Sequence, residues 1–165
     1  MNIFAPDSVV TQKKIMLPNG RLQQVAALVW RIENGELQLL TITSRGTGRW
    51  IIPKGWPQTG RTLARTAMRE AFEEAGIRGV IDPIPVGTYD YQKYDMPPEA
   101  ISSFTVAVYA VAFTEQLDKW PERGERILDW VSPDVAADRV EEPELKKLIL
   151  GFAPQLSPSI TSGEQ

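Results

Sequence analysis

Cysteine and histidine are both absent from this chain of 165 residues. The absence of cysteine excludes disulfides, iron–sulfur clusters, thiolate zinc sites and cysteine nucleophiles. The absence of histidine excludes a Ser-His-Asp triad and any histidine-bound metal, so a general acid or base must be a carboxylate, a lysine or a tyrosine. A bound metal ion would need oxygen ligands, which favours magnesium, manganese or calcium.

Long apolar runs are missing as well. No window approaches the roughly 18 apolar residues of a membrane span, and residues 1–8 lack a basic segment followed by an apolar run. We therefore expect a cytoplasmic protein without a membrane partner. With 18 basic and 21 acidic side chains the net charge is -3, so a stable nucleic-acid partner is not expected. The length and the 42% of hydrophobic residues are typical of one globular domain, whose oligomeric state is left open.

Short apolar runs with strand character lie on both sides of one helical stretch. Residues 24–30 (QVAALVW) and 37–43 (LQLLTIT) predict a hairpin around the turn at 33–36 (ENGE). The rest of the pattern predicts a short strand at 50–53, a loop at 54–60, strands at 84–95 and 101–114, a last short strand at 130–132, and one or two helices within 133–150. We therefore predict the α+β class, with a mixed sheet and one helix in mid-chain.

The helical stretch covers residues 62–75, where apolar side chains recur at three- and four-residue spacing. Thr62 is placed to cap its start, and Gly76 is placed to end it. The pattern predicts an amphipathic helix that buries one face against the sheet.

Three glutamates share one face of this predicted helix. With about 100° per residue, Glu70, Glu73 and Glu74 fall within an arc of about 100°, which we place opposite the apolar stripe. Arg69 lies four residues before Glu73 and is positioned to pair with it. Glu70 and Glu74 remain an uncompensated pair, which suits a hard divalent cation held by carboxylate oxygens and water. A solvated acidic face is the alternative interpretation of this spacing.

The residues around the glutamates form a longer motif. Residues 55–77 (GWPQTGRTLARTAMREAFEEAGI) resemble the Nudix box, Gx5Ex7REUxEExGU with U apolar, of the Nudix hydrolase family. The matching positions are Gly55, Arg69, Glu70, Ala71, Glu73, Glu74, Gly76 and Ile77. One position departs from the pattern, because Arg61 stands where the family has a glutamate. Full metal coordination and the catalytic rate are therefore open questions.

The resemblance implies a fold, a reaction and a metal. The fold would be the Nudix fold, an α/β/α sandwich with a central mixed β-sheet, in a single domain over 1–165 with a core at about 24–150 and flexible ends at 1–20 and 154–165. The reaction would be hydrolysis of a phosphoanhydride bond with Mg²⁺ or Mn²⁺ bound, because divalent metals neutralise phosphate charge and lower the pKa of bound water. By the family pattern, the metal site would comprise Glu70, Glu73, Glu74 and the Gly55 carbonyl.

The family pattern also suggests catalytic roles. Glu70 and Glu73 would be catalytic, and Arg69 would orient Glu73. The general base varies within the family, so Glu70, Glu73 or a loop carboxylate such as Glu122 or Glu125 all remain candidates.

A second segment bears on the substrate. Residues 44–55 (SRGTGRWIIPKG) resemble the branch of the family that cleaves diphosphoinositol polyphosphates and dinucleoside polyphosphates. Arg45, Arg49 and Lys54 would bind the phosphates of such a small-molecule polyphosphate. Tyr89 and Tyr91 alternate along one predicted strand and would stack on a nucleobase, although a core role fits them equally well.

Three other functions remain open from the sequence. One is hydrolysis of a simpler nucleoside diphosphate derivative or of an RNA 5′ pyrophosphate. Another is a Nudix-fold module that binds such ligands without turnover, which Arg61 makes conceivable. The third is a structural interaction domain, which would have no affinity for a metal. Trp120, Arg123 and Arg126, in an acidic loop, are further candidates to border the substrate.

Overall fold

A computed structural model describes residues 11–93 and 96–154 of the chain. Its elements, in chain order, are β1 (Leu22–Glu33), β2 (Glu36–Thr43), β3 (Trp50–Ile51), β4 (Lys54–Gly55), α1 (Leu63–Ala75), β5 (Ile77–Ile81), β6 (Gly87–Gln92), β7 (Ser103–Gln116), β8 (Leu128–Val131), α2 (Pro133–Arg139) and α3 (Pro143–Gly151). In the described part of the chain, none of these helices is both long and apolar enough to cross a membrane.

The strands form one mixed sheet. Its main path runs β3-β2-β1-β7-β5, while β4 pairs with β1, β6 with β7 and β8 with β2. Strands β1 and β7 are parallel over nine residue pairs, from Leu22 opposite Phe104 to Trp30 opposite Ala112, and the other pairings are antiparallel. The predicted hairpin of β1 and β2 is present. Its turn uses Asn34 and Gly35 with φ of 52° and 79°, the left-handed pair that two-residue hairpin turns require.

Helices cover both faces of this sheet, because the long central strands are apolar on both sides. Successive residues of a strand point to opposite faces, so Val25 and Ala27 join the core cluster under α1. Ala26 and Leu28 join a second cluster, which includes Ala136 of α2 and Leu145 of α3. The α/β/α sandwich with a central mixed sheet is thereby confirmed, and among the described residues α1 is the only helix on its face of the sheet.

Several details differ from the predicted elements. Strand β4 occupies the start of the loop predicted at 54–60, because Lys54 and Gly55 pair with the distant strand β1. Strand β5 was not predicted, because its five residues (IRGVI) follow directly on the helix end and contain a glycine. The strand predicted at 84–95 is confined to Gly87–Gln92, and residues 94–95 lie outside the described residues. Residues 11–16, predicted flexible, are hydrogen-bonded to the chain at Gln23 and at 57–59, whereas residues 1–10 and 155–165 lie outside the described residues.

Candidate active site

Helix α1 begins and ends where its sequence predicts. The Thr62 hydroxyl accepts a hydrogen bond from the Arg65 backbone N–H at 3.1 Å, which satisfies one free donor of the first turn. Gly76 adopts φ 67°, and its N–H donates to the Phe72 carbonyl at 2.9 Å. These caps fix the length of the helix and therefore the position of its glutamates.

The glutamates do not all lie where we placed them. Glu70 and Glu74 are only 8% and 5% exposed, so the prediction of a face opposite the apolar stripe was wrong for both. The buried side of α1 is about half of its circumference, because its small side chains let the helix lie close to the sheet. It consists of Ala64, Thr66, Ala67, Glu70, Ala71, Glu74 and Ala75. Two carboxylates are thus held inside the helix–sheet contact.

Glu70 lies against the backbone of β4. A Cβ atom built on Gly55 would stand 2.8 Å from Glu70 Oε2 and closer still to Oε1, so only glycine leaves room for this carboxylate. Among the described residues, no side chain or backbone N–H donates a hydrogen bond to it. Burial, followed by the charges of Glu74 and Glu73, raises the pKa of Glu70 to about 9. A carboxylate in this setting needs either a proton or a cation.

Glu74 is also buried, but it is bound on both oxygens. Oε2 accepts the Lys54 backbone N–H at 3.1 Å, and Oε1 lies 3.1 Å from Nη2 of Arg126. Burial raises the pKa of Glu74 to about 7, while Arg126 opposes that rise. Arg126 therefore acts as the counter-ion of Glu74 in this structure.

Arg126 belongs to the loop between β7 and β8, which packs on the C-terminal half of α1. Its side chain is 7% exposed; Nη2 also lies 3.0 Å from Glu122 Oε1, and Nη1 donates to the Thr43 carbonyl at 3.0 Å. The backbone N–H of Glu122 donates to the Glu73 carbonyl at 3.0 Å. The loop thus brings a fourth carboxylate and one buried cation to the glutamate helix. The sequence pointed to both only as loop candidates, since about fifty residues separate them from the motif.

The pairing predicted for Arg69 is present, with its Nε 2.7 Å from Glu73 Oε1. As the side chains stand, no three carboxylates of the described residues converge closely enough to hold a metal ion. Glu73 and Glu74 each pair with an arginine instead. The donor chemistry still fits a hard divalent cation, because Glu70 is a buried carboxylate without an ion-pair partner among the described residues, and the charges of Glu73 and Glu74 act on it.

A group of cations lies beside the carboxylates. Burial, and after it the charges of Lys93 and Arg49, lower the pKa of the Lys54 ammonium to about 8. Arg49 pairs with Glu141 at 2.9 Å and with Glu142 at 3.3 Å. The positive charges of these three side chains repel one another at this edge of the sheet. The negative charge of a bound polyanion would offset that repulsion. Lys93 was missed from the sequence, because only strand pairing brings it here.

Arg45 lies at the rim of the same area. It is more than half exposed, and its guanidinium contacts Glu122 at 3.3 Å and Glu125 at 3.2 Å. The hydrogen bond to Glu125 and the charge of Glu122 raise the pKa of Arg45. The structure therefore brings Arg45 to the carboxylate loop, while Arg49 and Lys54 lie near the sheet.

Tyr89 and Tyr91 lie in different environments. Tyr89 is 1% exposed and packs in the core cluster under α2 and α3, so it presents no surface to a ligand and the core alternative holds for it. Tyr91 is partly buried; its hydroxyl donates to Gln24 Oε1 at 2.5 Å and accepts from Lys54 Nζ at 3.2 Å. The Tyr91 ring stacks on Phe104 at 5.0 Å between centroids.

An apolar cleft of about 380 Å³ adjoins these rings. Phe104 meets Trp56 edge-on at 5.6 Å, and Lys14 Nζ lies 5.5 Å from the Trp56 ring centroid. The lining residues are Lys14, Met16, Leu22, Trp56, Met96, Ala100, Ile101 and Phe104. Trp56 directly follows Gly55, the residue against which the Glu70 carboxylate lies.

Arg61, the one departure from the motif, lies elsewhere. It is exposed and lines a cleft between α1 and β5, together with Arg65, Arg69 and Arg78. Its backbone N–H donates to the Gln58 carbonyl at 3.2 Å. The replacement of the family glutamate therefore leaves Glu70 and Glu74 buried against the sheet.

Comparisons with known proteins show the family of this chain. The family model described as NUDIX domain matches residues 22–152. Nudix hydrolase 16, mitochondrial, of Arabidopsis thaliana is 30% identical over 139 residues, which cover 81% of this chain and 76% of that protein. Diphosphoinositol polyphosphate phosphohydrolase 3-beta of Bos taurus is 29% identical over 159 residues, covering 89% of this chain and 92% of that protein.

Solved structures show a likeness in fold. A Caenorhabditis elegans Ap4A hydrolase, in a binary complex, superposes with a TM-score of 0.61 at 19% identity, covering 86% of this chain and 98% of the other. The Nudix domain of Shewanella oneidensis NrtR, in complex with ADP ribose, superposes with a TM-score of 0.58 at 15% identity, covering 78% and 85%.

Proposed function

Because the chain belongs to the Nudix family and is a Nudix pyrophosphohydrolase, we propose that it hydrolyses a phosphoanhydride bond of a small polyphosphorylated molecule with Mg²⁺ or Mn²⁺ bound. The substrate we propose first is a diadenosine polyphosphate. The observation that carries the proposal is the buried Glu70 carboxylate, which forms no ion pair with the described residues, lies against Gly55 and is repelled by the charge of Glu74. Lys54, next to Gly55, begins the group of cations, so sites for a metal and for a polyanion adjoin.

Four groups would hold the metal: the carboxylates of Glu70, Glu73 and Glu74, and the Gly55 carbonyl. A bound divalent ion supplies charge neutralisation for the phosphates and a lowered pKa for water. Glu70 would give up its proton on metal binding, because the attraction between the cation and the carboxylate would outweigh the cost of burying a charged group. Arg69 would keep Glu73 in position through its hydrogen bond.

A proton must leave the attacking water, and Glu73 and Glu122 are the proposed bases. Both are partly exposed, whereas Glu70 is buried. Their hydrogen bonds to Arg69 and Arg126 orient them. Glu125 is farther out at the rim, where it pairs with Arg45.

The apolar cleft favours a nucleotide-like substrate. Lys54, Arg49 and Arg45 would bind the phosphate chain through charge-assisted hydrogen bonds, while Trp56 and Phe104 offer rings to an adenine. A diphosphoinositol polyphosphate is the second candidate, favoured by the cations around Lys54 and by the name of the bovine relative. Its inositol ring has no flat π-face that would use the cleft.

The first experiment measures turnover of diadenosine polyphosphates and of a diphosphoinositol polyphosphate with Mg²⁺ and with Mn²⁺. We expect Glu74→Gln to lose metal-dependent turnover by orders of magnitude. Glu115→Gln is the matched control, since Glu115 is an exposed residue of β7. Equal turnover by Glu74→Gln and the control would refute the metal site, and metal-independent turnover by the parent chain would refute the cofactor.

A second experiment separates the two substrates. Trp56→Leu removes the ring that the cleft would offer to a base, so we expect KM for a diadenosine polyphosphate to rise about tenfold, because one stacked base contributes about 1–3 kcal/mol. Turnover of the inositol compound should not change. An unchanged KM for the diadenosine compound would favour the second candidate.

The cytoplasmic location expected from the sequence stays a prediction, and the Arabidopsis relative is named mitochondrial.

A further inference from the structure

A cleft of about 670 Å³ lies on the side of α1 that faces away from the buried glutamates. Ten residues line it: Arg61, Arg65, Met68, Arg69, Phe72, Ile77, Arg78, Gly79, Ile81 and Thr114. Four of them are arginines, and no acidic side chain of the described residues is among them. With about 100° per residue, Arg65, Met68 and Phe72 point roughly opposite to Glu70. The cleft is therefore separate from the proposed active site.

The positions of the arginines are electrostatically unfavourable for helix α1. Arg61 precedes α1 and Arg65 lies in its first turn, which contains no acidic residue. The N-terminus of a helix carries a partial positive charge, so cations there are unfavourable. Arg65 and Arg69 also stand four residues apart on α1, where like charges repel. An anion in the cleft would offset both effects.

Most of this positive charge is available to a ligand. Within the described residues, neither Arg61 nor Arg65 has an acidic side chain within ion-pair distance. Arg78 has only a long, exposed contact of 3.8 Å to Glu115. Arg69 differs, because its Nε is bound to Glu73 and its guanidinium carbon lies 4.9 Å from the Phe72 ring centroid.

Apolar side chains complete the cleft. Met68, Phe72 and Ile81 are partly buried and provide a floor between the arginines, and Ile77 is fully buried beneath. The volume lies in the range of about 300–1,000 Å³ that is usual for small-molecule sites. The net charge of -3 for the whole chain does not favour a nucleic acid as the occupant.

We infer that the cleft between α1 and β5 is a second ligand site, which binds a small aromatic phosphate. Arg61, Arg65 and Arg78 hold the phosphate, because guanidinium groups bind phosphate oxygens in pairs. The aromatic part lies on Phe72 and Met68. Since Arg69 lines this cleft and also holds Glu73, one shared side chain links the cleft to the proposed active site.

The test is a titration of phenyl phosphate into the ¹⁵N-labelled full chain, with EDTA present so that no metal binds. We expect amide signals of 61–69 and 77–81 to shift and saturate, while those of 54–55 and 122–126 stay in place. Inorganic phosphate should bind the same residues about tenfold more weakly, because it lacks the apolar contact. Cyclohexyl phosphate, whose ring has the same number of carbons but no flat π-face, should bind more weakly than phenyl phosphate.

Two variants make the result specific. Arg65→Glu should weaken phenyl phosphate binding about tenfold or more, because a charge-assisted hydrogen bond is lost and a repulsion is added. Lys119→Glu changes the charge by the same amount outside the cleft and should bind like the parent chain. The spectra themselves report whether each variant is folded.

Three results would overturn the inference. They are shifts confined to the proposed active site, equal binding by Arg65→Glu and Lys119→Glu, and cyclohexyl phosphate binding at least as tightly as phenyl phosphate. None of these results depends on turnover, so a failure of this inference is distinguishable from a failure of the proposed function.

Discussion

The close approach of Gly55 to Glu70 makes one substitution especially informative. Gly55→Ala adds a Cβ atom 2.8 Å from Glu70 Oε2 and closer to Oε1, whereas ordinary carbon–oxygen contacts are nearer 3.5 Å. The φ of Gly55 is not in the left-handed region, so the β4 backbone accepts alanine. The Glu70 carboxylate must therefore move, by on the order of 1 Å.

The expected loss follows from that displacement. A misplacement of about 1 Å in a catalytic constellation lowers the rate by about 100-fold, so kcat/KM of Gly55→Ala should fall by about that factor. The added methyl group overpacks a buried contact, and the free energy of unfolding should fall by about 1–3 kcal/mol. Because Glu70 is a proposed metal ligand, Mn²⁺ affinity should fall as well.

The assay compares turnover, Mn²⁺ binding by calorimetry and urea unfolding for Gly55→Ala and Gly46→Ala. Gly46 is the matched control, because a Cβ atom there meets nothing within 4 Å and its φ is not left-handed. We expect the control to behave like the parent chain. Parent-like turnover and Mn²⁺ affinity of Gly55→Ala would refute the placement of Glu70 in the metal site.

Three further predictions concern the same region. Burial raises the pKa values of Glu70 and Glu74 to about 9 and about 7, so the folded metal-free chain retains protons that the unfolded chain loses above about pH 4.5. Urea unfolding in EDTA should therefore show a free energy of unfolding that falls from pH 5 to 9. Glu70→Gln should flatten this fall above pH 7. Arg126→Met leaves buried carboxylates without their counter-ion, so unfolding in EDTA should show a loss of about 3–5 kcal/mol that Mg²⁺ partly restores. Gly76→Ala puts a side chain in the left-handed region against the Trp120 ring and should lower the unfolding free energy by about 2 kcal/mol or more.

Each of these has its own contrary result. Stability that is constant or rises from pH 5 to 9 would mean that the two glutamates ionise normally in the folded chain. An Arg126→Met loss that is the same with and without Mg²⁺ would show that metal and arginine do not share Glu74. Gly60→Ala is the control for Gly76→Ala, since Gly60 has φ 78° and open space around it; equal losses in the two would exclude a role for the Trp120 contact.

Much of the fold could be predicted from local patterns. The hairpin around Asn34 and Gly35, the caps at Thr62 and Gly76, and the long strand beginning near Ser103 all depend on neighbours in the chain, and the structure contains each of them. Strand β5 and the pairing of residues 11–16 with 57–59 depend on distant partners, so the sequence did not reveal them.

The candidate active site could also be predicted only in part from local patterns. The spacing of Arg69, Glu70, Glu73 and Glu74 is a local property, and it alone led to the family, the reaction class and the expected metal. Helical periodicity nevertheless misplaced Glu70 and Glu74, because amphipathic patterns assign glutamates to solvent. Only the close packing of the alanine-rich helix on the sheet buries them.

The sequence by itself determined the chemistry that this protein has available: carboxylates, arginines and lysines in a fixed order, without cysteine or histidine. The tertiary structure decided which of those groups share an environment. It placed Arg126 on Glu74, Lys93 near Lys54, and Arg61 in a cleft on the far side of the helix. The physical reason is that pairing and burial depend on distances in space, which sequence spacing encodes only within a single helix or strand.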